Sequence, residues 1–307
     1  MSTPTLHPGQ IIKAQSGFFS VLWAGGMAIC QLRGRLKQHR RATDLAAVGD
    51  RVLIDLAEDG SGQICQVLPR ARVLSRRAPR ADDRQASVEQ VLVANPDQVL
   101  FVFACAQPAP HLRMLDRFLV AAERTNLPAR ICANKIDLVG PAAARALFDL
   151  YPPIGYEVLY TSAETGEGVA ELRAALQGKL SVLSGPSGAG KTSLLNAVQP
   201  GLGLSVRRVS RATSKGRHTT VVPEILPLAQ GGFVADTPGI RAMGLWDIEP
   251  EELDAYFPEI RPLVDQCQFN DCSHLSEPGC AVRRAAESGG IDPRRYDSYT
   301  RLRRGEH

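Results

Sequence analysis

The sequence predicts a multidomain α/β protein in three parts. Segments rich in β-formers crowd the stretch from Gly9 to Leu74, and strands alternate with helical segments from Val99 onward. Past Asp247 the chain turns helical and loop-rich around a group of cysteines. At 307 residues it exceeds one small core. Its 44% hydrophobic and 22% charged residues are a globular composition, which excludes wholesale disorder. No run approaches the roughly 18 apolar residues that a membrane-spanning helix needs. Met1 to Gln10 carry no charged-then-apolar export signal, so a cytoplasmic location and no membrane partner are expected.

Residues 1–74 hold strand-like segments such as Gly17 to Leu22, Met27 to Leu32, Asp50 to Leu56 and Gln63 to Leu68, with a turn signal at Asp59-Gly60-Ser61-Gly62. About five short strands predict a small barrel, with an oligonucleotide-binding (OB) fold first and an SH3-like barrel second. Residues 75–98, rich in Arg, Pro and Asp at their start, read as a linker and the entry to the next domain. Over residues 99–246, strands are expected at Val99 to Ala104, Ile131 to Ala133, Glu157 to Tyr160, Leu180 to Ser184 and Phe233 to Ala235. Helical stretches at His111 to Arg124, Ala142 to Leu150, Val169 to Leu176 and Thr192 to Val198 separate them, which predicts a mostly parallel sheet with helices on both faces. Residues 247–307, punctuated by Pro250, Pro258, Pro262 and Pro278, form the third part.

The net charge of +4 is modest, but its distribution is uneven. Arginines and lysines cluster at Arg33 to Arg41, Arg70 to Arg84, Arg207 to Arg217 and Arg294 to Arg304. Such clusters suit phosphate backbones, and an RNA partner is expected from them. The plainer reading is solvated loops. Seven cysteines, an odd number, fit a reduced compartment. Cys30, Cys65, Cys105 and Cys132 sit among apolar residues and read as inert core thiols.

Gly185-Pro186-Ser187-Gly188-Ala189-Gly190-Lys191-Thr192 matches G-x-x-x-x-G-K-[ST] in full, after an expected strand and before a helix that begins Thr192-Ser193. Its backbone N–H groups suit phosphate oxygens, Lys191 the β- and γ-phosphates, and Thr192 a magnesium ion. Asp236-Thr237-Pro238-Gly239 then reads as a second metal motif, with Asp236 towards Mg²⁺ and Gly239 towards the γ-phosphate. Asn134-Lys135-Ile136-Asp137 supplies a carboxylate able to accept two hydrogen bonds from guanine, which adenine cannot offer. Thr161-Ser162-Ala163 reads as the loop behind the base. Together these four predict GTP rather than ATP, with magnesium accompanying the nucleotide.

Cys267, Cys272, His274 and Cys280 are a set of three thiolates and one imidazole, the composition of a closed, structural zinc site. Chance clustering of buried cysteines is the alternative.

The motif order is Asn134–Asp137, Ser162-Ala163, Gly185–Thr192, then Asp236–Gly239, whereas ordinary small GTPases place the phosphate loop first. This chain resembles the circularly permuted ribosome-assembly GTPases. With its N-terminal barrel, the string Gly216-Arg217-His218-Thr219-Thr220 and its Cys/His module, it resembles the RsgA (YjeQ) family within them, from Gly9 to about Arg304. Ala189, Thr192 and Val221 stand where that family often has Val, Ser and Thr. The resemblance implies an N-terminal OB-like barrel, a permuted P-loop GTPase domain and a C-terminal zinc domain with the same four ligands. It also implies hydrolysis of GTP to GDP stimulated by the small (30S) ribosomal subunit, contact with 16S rRNA, and a role late in subunit maturation. A monomer is expected.

The residue after Gly239 is Ile240, where many GTPases carry a water-orienting Gln. His218 is the candidate replacement; contact with RNA or shaping of the loop is the competing reading. One of Thr219 and Thr220 is expected on Mg²⁺. Two other functions stay open: a permuted GTPase acting on the large subunit, and an RNA-binding assembly factor with a vestigial nucleotide site.

Overall fold

The computed structural model describes residues 5–34, 45–58, 60–78, 88–202, 224–236 and 248–306. Two compact units emerge: Met1–Val99 with Ala170–Ser184 and Thr192–Met243, and Leu100–Val169 with Gly185–Lys191 and Gly244–His307.

The N-terminal strands β1 (His7–Gln15), β2 (Phe18–Trp23), β3 (Gly26–Leu32), β4 (Arg51–Leu56) and β5 (Ser61–Val67) close a barrel in the order β1-β2-β3-β5-β4. β3 and β5 run parallel and β4 returns antiparallel to β1, the OB-like arrangement. Alternation fills the interior: Ile11, Val21, Cys30, Val52, Ile54 and Ile64 are fully buried. Cys65 departs from its expected place in the core. The same alternation turns it outward from Ile64, and Arg33 Nη1 donates to its sulfur at 3.7 Å.

The stretch expected to be a linker holds two strands. β6 (Val73–Ala78) and β7 (Val88–Ala94) pair antiparallel. Val73, Val91 and Ala94 pack against Ala47, and the Ala94 N–H donates to Val48 O at 2.8 Å. The arginine-rich run from Arg76 concealed this pattern, because charge there says nothing about backbone pairing.

Six strands follow: β8 (Gln98–Ala104), β9 (Ala129–Asn134), β10 (Val158–Thr161), β11 (Leu180–Ser184), β12 (Ile225–Pro227) and β13 (Phe233–Asp236). Their sheet order is β10-β9-β8-β11-β13-β12, in which β12 is an antiparallel edge strand that sequence patterning missed. Three residues give no periodicity to read. Helices α1 (Leu112–Arg124), α2 (Pro141–Phe148), α3 (Val169–Leu176) and α4 (Lys191–Val198) connect the parallel strands. Gln98, buried in β8, donates to Ser181 Oγ at 2.8 Å and Ala175 O at 2.7 Å, which satisfies its amide inside the layer.

The C-terminal part consists of 3-10 turns at Pro250–Tyr256 and Arg261–Gln266, then α5 (Ala281–Glu287) and α6 (Pro293–Arg303). Its core joins Leu253, Phe257, Ile260, Val282, Ile291, Tyr299 and Leu302 with Val120 of α1. Among the described residues no helix is long and apolar enough to cross a membrane.

Candidate functional site

The described loops bearing sequence motifs, those of Asn134, Ser162 and Gly185, leave the C-terminal ends of parallel strands, where α/β sheets place their ligand crevices. The five residues of β11 are buried, so its end is a rigid launching point for the loop Gly185–Lys191. Two glycines there have no substitute. Gly185 has φ +145° and a Cβ on it would strike Val102 O; Gly190 has φ +92° and a Cβ would strike Asn134 Nδ2. Lys191 Nζ donates to Gly185 O at 2.7 Å and Pro186 O at 2.8 Å, so the ammonium lies across the mouth of its own loop. Ala189 is fully buried, whereas Ser187 and Gly188 are exposed.

The base-recognition loop is bonded to this one. Asn134, 1% exposed, donates from Nδ2 to Ala189 O at 2.8 Å and accepts at Oδ1 from Thr161 Oγ1 at 3.3 Å. A single amide thus links three motif segments. Lys135 takes the left-handed conformation, φ +62°, and its Nζ donates to Gln107 O. Ser162 is buried and donates from Oγ to Asp137 Oδ1 at 2.6 Å, while Asp137 itself is exposed. Ala163 follows, half-buried. Thr165 N–H donates to Ser162 Oγ at 3.1 Å and fixes the hydroxyl's direction. Gln107 escaped sequence reasoning, because it belongs to no motif and acts only through the fold.

Thr192 is buried at the start of α4 beside the exposed Ser193. Asp236 ends β13, in parallel register with Leu183 of β11. His218, Thr219, Thr220 and Gly239 lie outside the described residues, as do Arg35 to Arg41 and Arg207 to Arg217.

The four predicted metal ligands converge. Their ligand atoms lie within 4.8 Å of one another, with Cys272, His274 and Cys280 buried and Cys267 half-buried. His274 Nδ1 stands 3.5 Å from both the Cys267 and Cys280 sulfurs, which are 3.9 Å apart. His274 Nε2 is buried with no hydrogen bond, and Asp254 Oδ2 faces it at 3.5 Å. An outer carboxylate of this kind orients a ligating imidazole. Burial pushes the Cys272 thiol up to about 12 and lowers His274. Three sulfurs and one imidazole converging on a common centre are a site suited to one small cation. The loop is held by Glu277, whose Oε1 accepts from Ser273 N at 2.8 Å and from Ser273 Oγ, and whose Oε2 accepts from Leu275 N at 3.1 Å and Ser276 N at 3.0 Å.

The structure corrects part of the charge reading. Arg70 forks onto the fully buried Asp50 at 2.7 Å through Nε and Nη2, and Arg295 is buried between Asp116 and Glu259. Both act inside the protein. Burial pushes Cys30 and Cys105 up to about 11 and Cys132 to about 12, as inert core thiols require.

Comparison with known proteins accords with this arrangement. The sequence model of the RsgA GTPase family matches residues 67–246, and that of the RsgA N-terminal domain matches residues 8–64. The chain belongs to the RsgA GTPase family. The small ribosomal subunit biogenesis GTPase RsgA of Gemmatimonas aurantiaca is 48% identical over 306 residues, covering 99% of this chain and 98% of that relative. The protein of the same name from Moorella thermoacetica is 43% identical over 291 residues, covering 95% and 94%. Among solved structures, YjeQ from Thermotoga maritima superposes with TM-score 0.79 at 35% identity, covering 98% of this chain and 99% of that one. YloQ, described as a circularly permuted GTPase, superposes with TM-score 0.75 at 31% identity, covering 98% and 95%. As an RsgA-family member the chain is a GTP-hydrolysing enzyme with a closed N-terminal barrel and a C-terminal Cys/His cluster able to hold a metal ion.

Proposed function

We propose that this RsgA-family enzyme hydrolyses GTP under stimulation by the small ribosomal subunit, late in that subunit's maturation, and is a cytoplasmic monomer. The observation that carries the nucleotide reading is the Asn134 Nδ2–Ala189 O hydrogen bond, which joins the base-selecting loop to the phosphate loop at 2.8 Å. In this reading Asp137 selects guanine, Ser162 and Ala163 back the base, and Gly185 to Ser193 hold the phosphates. Lys191 turns from its loop carbonyls to the β- and γ-phosphates, and Thr192 and Asp236, with Thr219 or Thr220, bind magnesium. His218 orients the attacking water, Ile240 having no group for that task. Magnesium would supply charge neutralisation between the phosphate oxygens.

Zinc is the cation assigned to Cys267, Cys272, His274 and Cys280. A tetrahedron with Zn–S of about 2.3 Å and Zn–N of about 2.0 Å has S···S edges of about 3.8 Å and S···N edges of about 3.5 Å. The sulfur–sulfur separation of 3.9 Å and sulfur–nitrogen separations of 3.5 Å support that choice. Its role is to fold residues 247–307, not to act on GTP. The barrel, residues 1–74 with the following hairpin, and the metal module are assigned to 16S rRNA. The α/β domain is assigned to residues 99–246.

GTP turnover with and without purified small subunits tests the reading. A strong rise is expected with small subunits and little with large ones; no rise would remove the ribosomal partner and leave the GTPase. His218→Ala should lose most of the stimulated rate while binding GTP normally, and a wild-type stimulated rate would remove its role.

A further inference from the structure

Arg295 is a cation taken out of water: its side chain is 1% exposed. Its guanidinium is divided between two elements. Nη1 donates to Asp116 Oδ1 on α1 at 2.6 Å, and Nε and Nη2 donate to the two oxygens of Glu259 at 2.6 and 3.2 Å. The same Asp116 oxygen accepts from Tyr151 Oη at 2.9 Å, and the guanidinium lies 4.5 Å from the Phe257 ring centre. Buried triads of this kind add little stability over apolar packing, because desolvating three charges offsets their attraction. What a planar fork supplies is direction, since it donates to two carboxylates in one mutual arrangement only. Val120 also packs against Leu253, Phe257 and Ile260, but apolar contact resists separation far more than sliding.

The turn of α6 that begins at Arg295 also holds the metal loop. Tyr296 Oη donates to His274 O at 2.7 Å and Tyr299 Oη to Ser273 O at 3.1 Å. On the other side, α1 follows the loop whose Gln107 carbonyl accepts Lys135 Nζ and whose Pro108 lies against Gly188. One helical turn is therefore tied to the metal ligands directly, and to the nucleotide loops through α1.

We propose that Arg295 is a positioning residue that holds the metal module on α1 in the one orientation from which a bound small subunit can accelerate GTP hydrolysis. This rests on the partner reading above. The partners of Arg295 are Asp116, Glu259, Phe257 and Tyr151, neither nucleotide-motif residues nor candidate metal ligands, so its effect belongs to the stimulated reaction alone. Arg113–Asp297 at 3.2 Å and Arg261–Glu123 at 3.9 Å also bridge α1 to the C-terminal part, but Arg113, Asp297 and Arg261 are about half exposed and such pairs contribute little.

The test compares the wild-type full chain with Arg295→Lys, which keeps the charge but loses the fork, and with Asp116→Asn, which weakens the α1 end and its Tyr151 bond but leaves the Glu259 end intact. Each is checked for bound metal, GDP affinity, and GTP turnover with and without small subunits. Metal content and GDP affinity should be unchanged and basal turnover within about twofold, while stimulated turnover falls about tenfold. Hydrogen exchange without subunits should show α1 and Ser273–His274 losing protection in the variants while β9 and β10 keep theirs. Wild-type stimulation in both variants would overturn the proposal. So would basal and stimulated rates falling in proportion, which marks a merely structural role. A wild-type enzyme that small subunits do not stimulate sinks the partner reading instead. Should one variant not fold, the other decides.

Discussion

Asp137 has two carboxylate oxygens, and the fold has already given one of them a donor in Ser162 Oγ at 2.6 Å. That bond fixes the carboxylate plane before any base arrives, so little freedom is left to lose on binding. Asp137→Ala should weaken GDP binding about a hundredfold, since it removes charge-assisted hydrogen bonds to two donors. Ser162→Ala should cost about tenfold, the value of one orienting hydrogen bond. Titration with a fluorescent GDP analogue checks both, and equal losses would show that Ser162 acts otherwise than through Asp137. At Gly190, alanine faces both a positive φ and a clash with Asn134 Nδ2, so Gly190→Ala should break the Asn134–Ala189 bond and abolish tight binding. The motif residues were legible one by one because their chemistry is local. Gln107 was not, since it matters only through a partner distant in the chain.

At the scale of elements, the metal loop couples a cation site to ordinary hydrogen bonding. Burial alone would raise the carboxyl of Glu277, but the Ser273 hydroxyl and backbone N–H groups outweigh it and hold it at about 2. A carboxylate depressed on folding stabilises the protein above its unfolded pKa, and loses that contribution as pH falls through the folded one. The stability gap between wild type and Glu277→Gln should therefore be constant from neutrality to about pH 5 and close towards pH 2, read by denaturant melts. A gap that does not vary with pH would dismiss the charged form. Removing the metal with a chelator should expose the amides of residues 248–306 to exchange and lower the melting temperature, because the ligand loop contributes Cys272 and Cys280 to that core. The four candidate ligands could be read from residue type and spacing. Asp254 and Glu277, which support them, could not, because no motif marks an outer carboxylate.

Across the whole molecule, buried charge separates structural arginines from those left for a partner. Asp50 is fully buried; Arg70 gives it two hydrogen bonds and the Ala47 N–H a third at 2.7 Å. Arg70→Ala strands that carboxylate and should destabilise the unit bearing the barrel by about 3 kcal/mol. An exposed arginine such as Arg33 should cost under about 0.5 kcal/mol when replaced. Chemical denaturation of the full chain distinguishes them, and equal costs would mean that Arg70 also serves the surface.

The sequence by itself determined the three-part architecture, the permuted order of the nucleotide motifs and the four Cys and His side chains that converge as candidate metal ligands. Each of these is written in periodicity, turn chemistry or a fixed spacing of reactive side chains. Tertiary structure alone decided that β6 and β7 pair where an arginine-rich linker was expected, that β12 edges the sheet, and that Arg70 and Arg295 are internal. It also decided that Asn134 joins the base loop to the phosphate loop. Pairing and burial are properties of two segments at once, and a charged side chain looks the same along the chain whether it meets water or a buried carboxylate.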